Sequence, residues 1–181
     1  MRIIAGRMKG LRLAHVGKGD TGAHLRPTTD RVRENLFNIL NNHVNFDDMI
    51  VLDLFAGTGA LGLEALSRGA TSVTFVENGR VGQKLIAENI ALTGTKECTT
   101  FVGRDVLTLG QGTPHDVIFL DPPYGKSLGE RALPHLWAQG WIAPDALIIW
   151  EEGSAPDIPA GFTCLTQRRY GNTTLTLMEP A

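Results

Sequence analysis

Apolar and polar positions change rhythm several times along the chain. Ile3, Ile4, Leu11 and Leu13 are interleaved with basic residues around Gly6 and Gly10. That pattern predicts two short strands over residues 1–14, joined near Met8-Lys9-Gly10, as a β-hairpin with one apolar and one basic face. Residues 15–26 (HVGKGDTGAHLR) are glycine-rich and polar and read as a loop. Thr28, Thr29 or Asp30, after Pro27, can cap a helix. Val32, Leu36, Ile39 and Leu40 then recur at i, i+4, i+7 and i+8, one apolar helical face. Arg31, Arg33 and Glu34 fall largely off that face, and Asn41-Asn42 marks the end.

From there strand and helix patterns alternate. Met49–Phe55 is an apolar run broken only by Asp53, as in a strand buried on both faces. Leu61–Arg68 reads as helix, Ser72–Val76 as strand, and Gly79–Leu92 as a helix weakened by Gly79 and Gly82. Thr99–Val102 and Asp116–Leu120 are strands, Leu128–Gln139 a helix and Ala146–Trp150 a strand. Phe162–Gln167 and Thr173–Met178 flank Tyr170-Gly171-Asn172 as an antiparallel hairpin. The alternation implies an α/β fold, a parallel sheet with helices on both faces.

With 181 residues, 43% of them hydrophobic, the chain is long enough for one domain with a well-buried core. No apolar run approaches the roughly 18–20 residues of a membrane span, and the first residues lack a signal-peptide core. Cys98 and Cys164 form no C-x-x-C pair, which suits a reducing cytoplasm. The histidines at 15, 24, 43, 115 and 135 lack metal-ligand spacing, so no metal is expected.

The net charge of −2 hides an asymmetry. Residues 1–33 carry eight basic and two acidic side chains, and the remainder nine basic and seventeen acidic. A basic arm on an acidic body fits contact with a polyanion as well as it fits a solvated tail. The apolar residues among the bases favour an ordered arm.

Gly57-Thr58-Gly59-Ala60-Leu61-Gly62 matches G-x-G-x-x-G between a strand and a helix, which marks a cofactor loop rather than a mere tight turn. Asp53 argues against a pyrophosphate there. At ~5 Å and an effective dielectric of ~20, the repulsion is roughly 3 kcal/mol. The same carboxylate suits an ammonium, such as the methionine end of S-adenosylmethionine. Glu77 can accept from two ribose hydroxyls and fits a dinucleotide equally well.

Asp121-Pro122-Pro123-Tyr124 at the end of another strand decides between the cofactors. The Asp121 carboxylate and Pro122 carbonyl are two acceptors for the two N–H bonds of an exocyclic amine. Tyr124 offers a face on which a base can stack, and the prolines fix the acceptors in advance.

Asp53-x-Phe55-Ala56-Gly57-Thr58-Gly59, Glu77, Asp105 and Asp121-Pro122-Pro123-Tyr124 together resemble an S-adenosylmethionine-dependent amino-methyltransferase. Met1-Arg2-Ile3-Ile4-Ala5-Gly6 and Arg26-Pro27-Thr28-Thr29-Asp30-Arg31-Val32-Arg33-Glu34 narrow this to a resemblance to the bacterial 16S rRNA guanine-N2 methyltransferases, the RsmD-like family. The resemblance implies a Rossmann-like fold with a mostly parallel seven-stranded sheet and a C-terminal antiparallel hairpin strand. It divides the chain into an arm over residues 1–25 and a methyltransferase domain over 26–181. It implies methyl transfer to a guanine N2 of small-subunit rRNA, within subunit particles, by a cytoplasmic monomer.

Asp121, Pro122 and Tyr124 would then hold the reacting base. Asp53, Phe55, Ala56, Gly57, Thr58, Gly59, Glu77, Asn78, Asp105 and Val106 would hold the cofactor, with Asp105 on the adenine amine and the Val106 N–H on a ring nitrogen. Arg2, Arg7, Lys9, Arg12, Arg26, Arg31 and Arg33 would meet RNA. An adenine-N6 methyltransferase and a non-catalytic RNA-binding assembly factor remain open as alternatives, with a nicotinamide oxidoreductase more distant.

Overall fold

The computed structural model describes residues 1–16 and 30–181. The loop expected over 15–26 therefore falls mostly, and the Pro27–Thr29 helix start wholly, outside the described residues. Among the described residues seven strands form one sheet: β1 (Ile50–Leu54), β2 (Ser72–Val76), β3 (Thr99–Val102), β4 (His115–Leu120), β5 (Ile142–Glu152), β6 (Phe162–Tyr170) and β7 (Thr173–Pro180). Their order is β3-β2-β1-β4-β5-β7-β6. β1 through β5 pair in parallel, and β7 runs antiparallel to both β5 and β6. The order reverses between β1 and β4, so the crevice beyond their C-terminal ends is where a ligand fits such a sheet.

Side-chain alternation divides the core into two layers. Val51, Val117 and Phe119 pack on one face with α1 (Asp30–Leu40) and α2 (Ala60–Ser67). Ile86 of α3 (Arg80–Thr93) joins them. Leu52, Leu54, Ile118 and Trp150 pack on the other face against α4 (Leu128–Ala138). Both faces of the central strands are covered, hence their nearly unbroken apolar sequences.

α1 differs from its expected orientation. Its buried residues are Arg33, Leu36, Phe37 and Leu40, while Val32 is 43% exposed. The stripe i, i+3, i+4, i+7 starts at a charged residue, so reading apolar letters alone rotates the helix by about one position.

The N-terminal hairpin is present, but its ladder is one bridge long, Arg2 to Arg12. The N–H groups of Ile4 and Ala5 leave it for the carboxylate of Glu64 on α2, at 2.8 and 3.0 Å. The Met8 N–H goes to Ser67 Oγ at 2.9 Å. Ile3 and Leu13 enter the same core layer as α1 and α2. Gly6, at φ 77°, lies so close to the Ser67 carbonyl that a side chain there would collide with it.

Candidate functional site

Three loops meet where the strand order reverses. The register pairs Leu54 with Val76 on one side and with Leu120 on the other. Phe55, Glu77 and Asp121 therefore leave neighbouring strands at one level, and Val76 pairs in turn with Val102, which leads toward Asp105.

The loop after β1 is strained in a regular way. Phe55, Gly57 and Gly59 have φ of 57°, 56° and 74°, so alternate residues are left-handed. An aromatic residue in that region costs of order 1–3 kcal/mol and persists where the surroundings enforce it. The Ala56 N–H donates to the Val76 carbonyl at 3.1 Å, and the Gly59 N–H to the Ala56 carbonyl at 2.7 Å.

Glu77 is the main brace of this loop. Its Oε2 accepts the Gly57 N–H at 2.9 Å, and its Oε1 accepts the Gly79 N–H at 2.6 Å. Gly82 makes the arrangement possible. A Cβ there would sit 2.7 Å from Glu77 Cγ and 2.9 Å from the Gly57 carbonyl oxygen. The glycine that weakens the sequence pattern of α3 is thus required by close approach of the helix to the loop.

Asp53 lies under α2, 2% exposed, with Oδ2 accepting the Gly62 N–H at 2.9 Å. Burial pushes its carboxyl up to about 8, opposed by the Gly62 hydrogen bond and aided by the charge of Glu77. Asp105 caps a short 3-10 turn (Val106–Thr108) through the Leu107 N–H at 2.9 Å, and Asn78 Nδ2 donates to it at 3.3 Å. Val106 is buried.

Asp121 is half-buried, Pro122 buried and Tyr124 half-buried. The Tyr124 hydroxyl donates to Glu151 Oε1 at 3.0 Å and lies 3.2 Å from Thr173 Oγ1. Its ring packs on Gly153, where a Cβ would come within 2.9 Å of Tyr124 Cδ2. Burial pushes the Tyr124 hydroxyl and the Glu151 carboxyl up. Glu152 Oε1 accepts the N–H groups of Gly125 and Gly153 at 3.1 and 2.8 Å, which fixes the loop after Tyr124.

Arg2, Arg7, Lys9, Arg12 and Arg31 are exposed, and Arg26 is outside the described residues. Arg33 is a correction: it is fully buried and cannot meet a phosphate. Its Nη2 donates to the Arg2 carbonyl and lies 3.2 Å from Asp30 Oδ1, and its Nε is 3.8 Å from Glu64 Oε2. Glu64 is itself buried and pairs with Arg68 Nε at 2.8 Å. Arg33 thus braces α1 and the arm against α2. Among the described residues, no group of three or more His, Cys, Asp or Glu is placed to hold a metal, and no helix is long and apolar enough to cross a membrane.

The family model described as conserved hypothetical protein 95 matches residues 1–179. A ribosomal RNA small subunit methyltransferase D from Escherichia coli is 37% identical, covering 99% of this chain and 89% of that one. Its namesake from Haemophilus influenzae is 39% identical over 94% of this chain and 89% of its own length. The chain belongs to this RsmD-like family. A solved structure titled putative methyltransferase yhhF from Escherichia coli superposes on the RsmD-like chain with a TM-score of 0.85 at 37% identity, covering 99% of this chain and 97% of that one. Beside the candidate site the structure places Gly82, Asn89, Glu151 and Thr173, and Glu64 anchors the arm behind it; no motif contains any of the five. Two of them left a trace in the sequence, an acid inside the apolar helix ALGLEALS and a glycine inside α3.

Proposed function

We propose that this chain transfers a methyl group from S-adenosylmethionine to the exocyclic N2 amine of a guanine in 16S rRNA. The observation that carries the reading is the convergence of the strained 55–59 loop, Glu77 and Asp121-Pro122-Pro123-Tyr124 at one reversal of strand order. The names of the relatives support rRNA as substrate. Cytoplasmic location and a monomeric state follow from the same reading.

The residues suit the methyl donor. The glycines of the 55–59 loop leave room for the methionine end to lie against its backbone. Glu77 is held by two N–H groups and keeps acceptor capacity for vicinal ribose hydroxyls. Asp53 supplies negative charge for the ammonium, through a bridging water given its burial. Asn78, Asp105 and Val106 flank the adenine position. Bound S-adenosylmethionine supplies an electrophilic methyl on a sulfonium, which leaves as a neutral thioether.

The chain's own task lies with the amine. Its lone pair is delocalised into the purine and is a weak nucleophile. Asp121 and the Pro122 carbonyl accept its two N–H bonds, favour pyramidal nitrogen and stabilise the positive charge that develops as the N–C bond forms. The surplus proton then leaves to Asp121 or water. Tyr124, held by Glu151 and Thr173, stacks on the base.

Tritiated methyl transfer to small-subunit particles from an unmodified strain, with nucleoside analysis, tests the reading. N2-methylguanosine is the expected product. N6-methyladenine would transfer the assignment to the adenine alternative, and no transfer would leave an RNA-binding assembly factor.

A further inference from the structure

Outside the first 33 residues, Arg168-Arg169 is the only adjacent pair of basic residues, in a remainder dominated by acids. The pair lies at the end of β6, next to Tyr170, which is 42% exposed, and the two-residue tip Gly171-Asn172. Arg168 and Arg169 are exposed, and among the described residues neither forms an ion pair with an acid.

Register fixes where this tip points. β6 runs in the same direction as β5, since both are antiparallel to β7. Its end is therefore on the ligand side of the sheet. Tyr170 pairs with Thr173, and Arg168 with Leu175. Opposed residues share a face, as do residues two apart. Leu175 belongs to the core layer that holds Ile3, Leu13 and α1. Arg168 and Tyr170 thus lie on the same sheet face as the basic arm, and Thr173 of this tip touches the Tyr124 hydroxyl.

Charges on an edge strand can serve only to block sheet-to-sheet pairing. Here that account is incomplete. Thr163, Cys164, Leu165 and Thr166 carry no charge, Leu165 is 45% exposed, and both arginines are at the ligand end.

We propose that residues 167–172 form a second RNA-contact surface, in which Arg168 and, from the other face of the tip, Arg169 meet backbone phosphates and Tyr170 stacks on an unpaired nucleotide flanking the target. This rests on the RNA methyltransferase reading. The methylated base would lie at Tyr124, with the arm on one side and this tip on the other, a two-point grip.

The test compares Arg168→Ala/Arg169→Ala, Arg168→Lys/Arg169→Lys and Tyr170→Ala in the full chain on unmodified small-subunit particles. The double alanine variant is expected to flatten the salt dependence of binding by about 1.4 in log–log slope, roughly 0.7 per lost contact. Its KM for particles should rise with little change in kcat. The double lysine variant should keep the slope, and Tyr170→Ala should weaken binding roughly tenfold. Affinity for S-adenosylhomocysteine, measured by calorimetry, should stay at the wild-type value in all three. Wild-type slope and KM in the double alanine variant would overturn the tip as a contact surface. Absence of transfer by the wild type itself would instead overturn the function on which it rests.

Discussion

Asn89 on α3 holds the carbonyl of Thr58 in the cofactor loop, with Nδ2 donating at 2.8 Å. The same side chain, fully buried, also pairs with the arm. Its Oδ1 accepts the Ala14 N–H at 2.7 Å, and Nδ2 donates to the Ala14 carbonyl at 3.1 Å. Met1 adds a second link, its sulfur accepting from Thr58 Oγ1 at 3.7 Å. The arm and the loop thus share one amide. Asn89→Asp keeps the size and the acceptor for the Ala14 N–H but removes both donations. Each lost bond to a buried carbonyl costs about 1–3 kcal/mol. The expected result is weaker binding of S-adenosylhomocysteine by calorimetry together with faster hydrogen exchange at the Ala14 amide. Unchanged exchange at Ala14 would separate arm from loop.

Asp53 makes cofactor binding sensitive to pH. Its carboxyl, pushed up to about 8 by burial, is largely protonated in the free protein at pH 7. An ammonium nearby favours the ionised form, so binding should release protons between about pH 6 and 8. Calorimetry in two buffers of different ionisation enthalpy would show this as a buffer-dependent heat that Asp53→Asn abolishes. The folded protein binds this proton more tightly than the unfolded chain. The associated stability is therefore fully present below about pH 4 and is lost as pH rises through about 8. Denaturant melts of Asp53→Asn should lack that decline.

Gly82→Ala sets two effects against each other. Helix propensity alone favours alanine by about 0.8–1 kcal/mol. The new Cβ would stand 2.7 Å from Glu77 Cγ and 2.9 Å from the Gly57 carbonyl oxygen, part of it backbone that cannot swing away. Overpacking of that kind costs typically 1–3 kcal/mol, so the clash should win. Lower thermal stability and weaker binding of S-adenosylhomocysteine are expected; a more stable protein with normal affinity would show that α3 can shift.

The arginines of the arm region separate by burial. Arg33→Met removes a cation from between Glu64 and Asp30 and should destabilise the fold by about 3–5 kcal/mol, the scale for breaking a buried ion pair. Lys9→Ala/Arg12→Ala, on exposed positions, should leave the melting temperature nearly unchanged and reduce the salt slope of RNA binding. A stable Arg33→Met with a lowered slope would reverse these two roles.

Arg33 also shows where the sequence stops being legible. The strands were readable because β1 and β4 are buried on both faces, so their apolar runs are nearly continuous. Two loops of the site are legible because they follow such strands, and Glu77 because it ends the shorter strand SVTFV. The sequence pattern of β6 stops at Gln167, because the last three residues of the strand are exposed on an edge and show no alternation. The buried face of α1 departs from its apolar letters because the stripe begins with a charge whose partners, Asp30 and Glu64, include one on another helix. Asn89 was invisible for a related reason: what it binds is backbone, and backbone leaves no letter in the sequence.

Asp121 is the residue on which the transfer step should depend most. It leaves β4 opposite the strained loop of β1, and it can take one N–H of the amine while the Pro122 carbonyl takes the other. Asp121→Ala removes an acceptor aimed at charge that appears only in the transition state. Loss of one such preorganised partner costs about 10²–10³ in rate. Binding of S-adenosylhomocysteine should stay within a few-fold, since Asp53, Glu77 and the 55–59 loop are untouched. Asp121→Asn keeps one acceptor oxygen without the charge and should fall between wild type and alanine. Tyr124→Phe gives the contrast. It deletes the bonds to Glu151 and Thr173 but keeps the ring against Gly153, so the base retains its stacking face. Its main effect should be on KM for the particle rather than on the rate of a single turnover. Rapid-quench single-turnover measurements on the three variants would distinguish these outcomes. A full-rate Asp121→Ala would remove the amine clamp from the mechanism, whatever the product analysis shows.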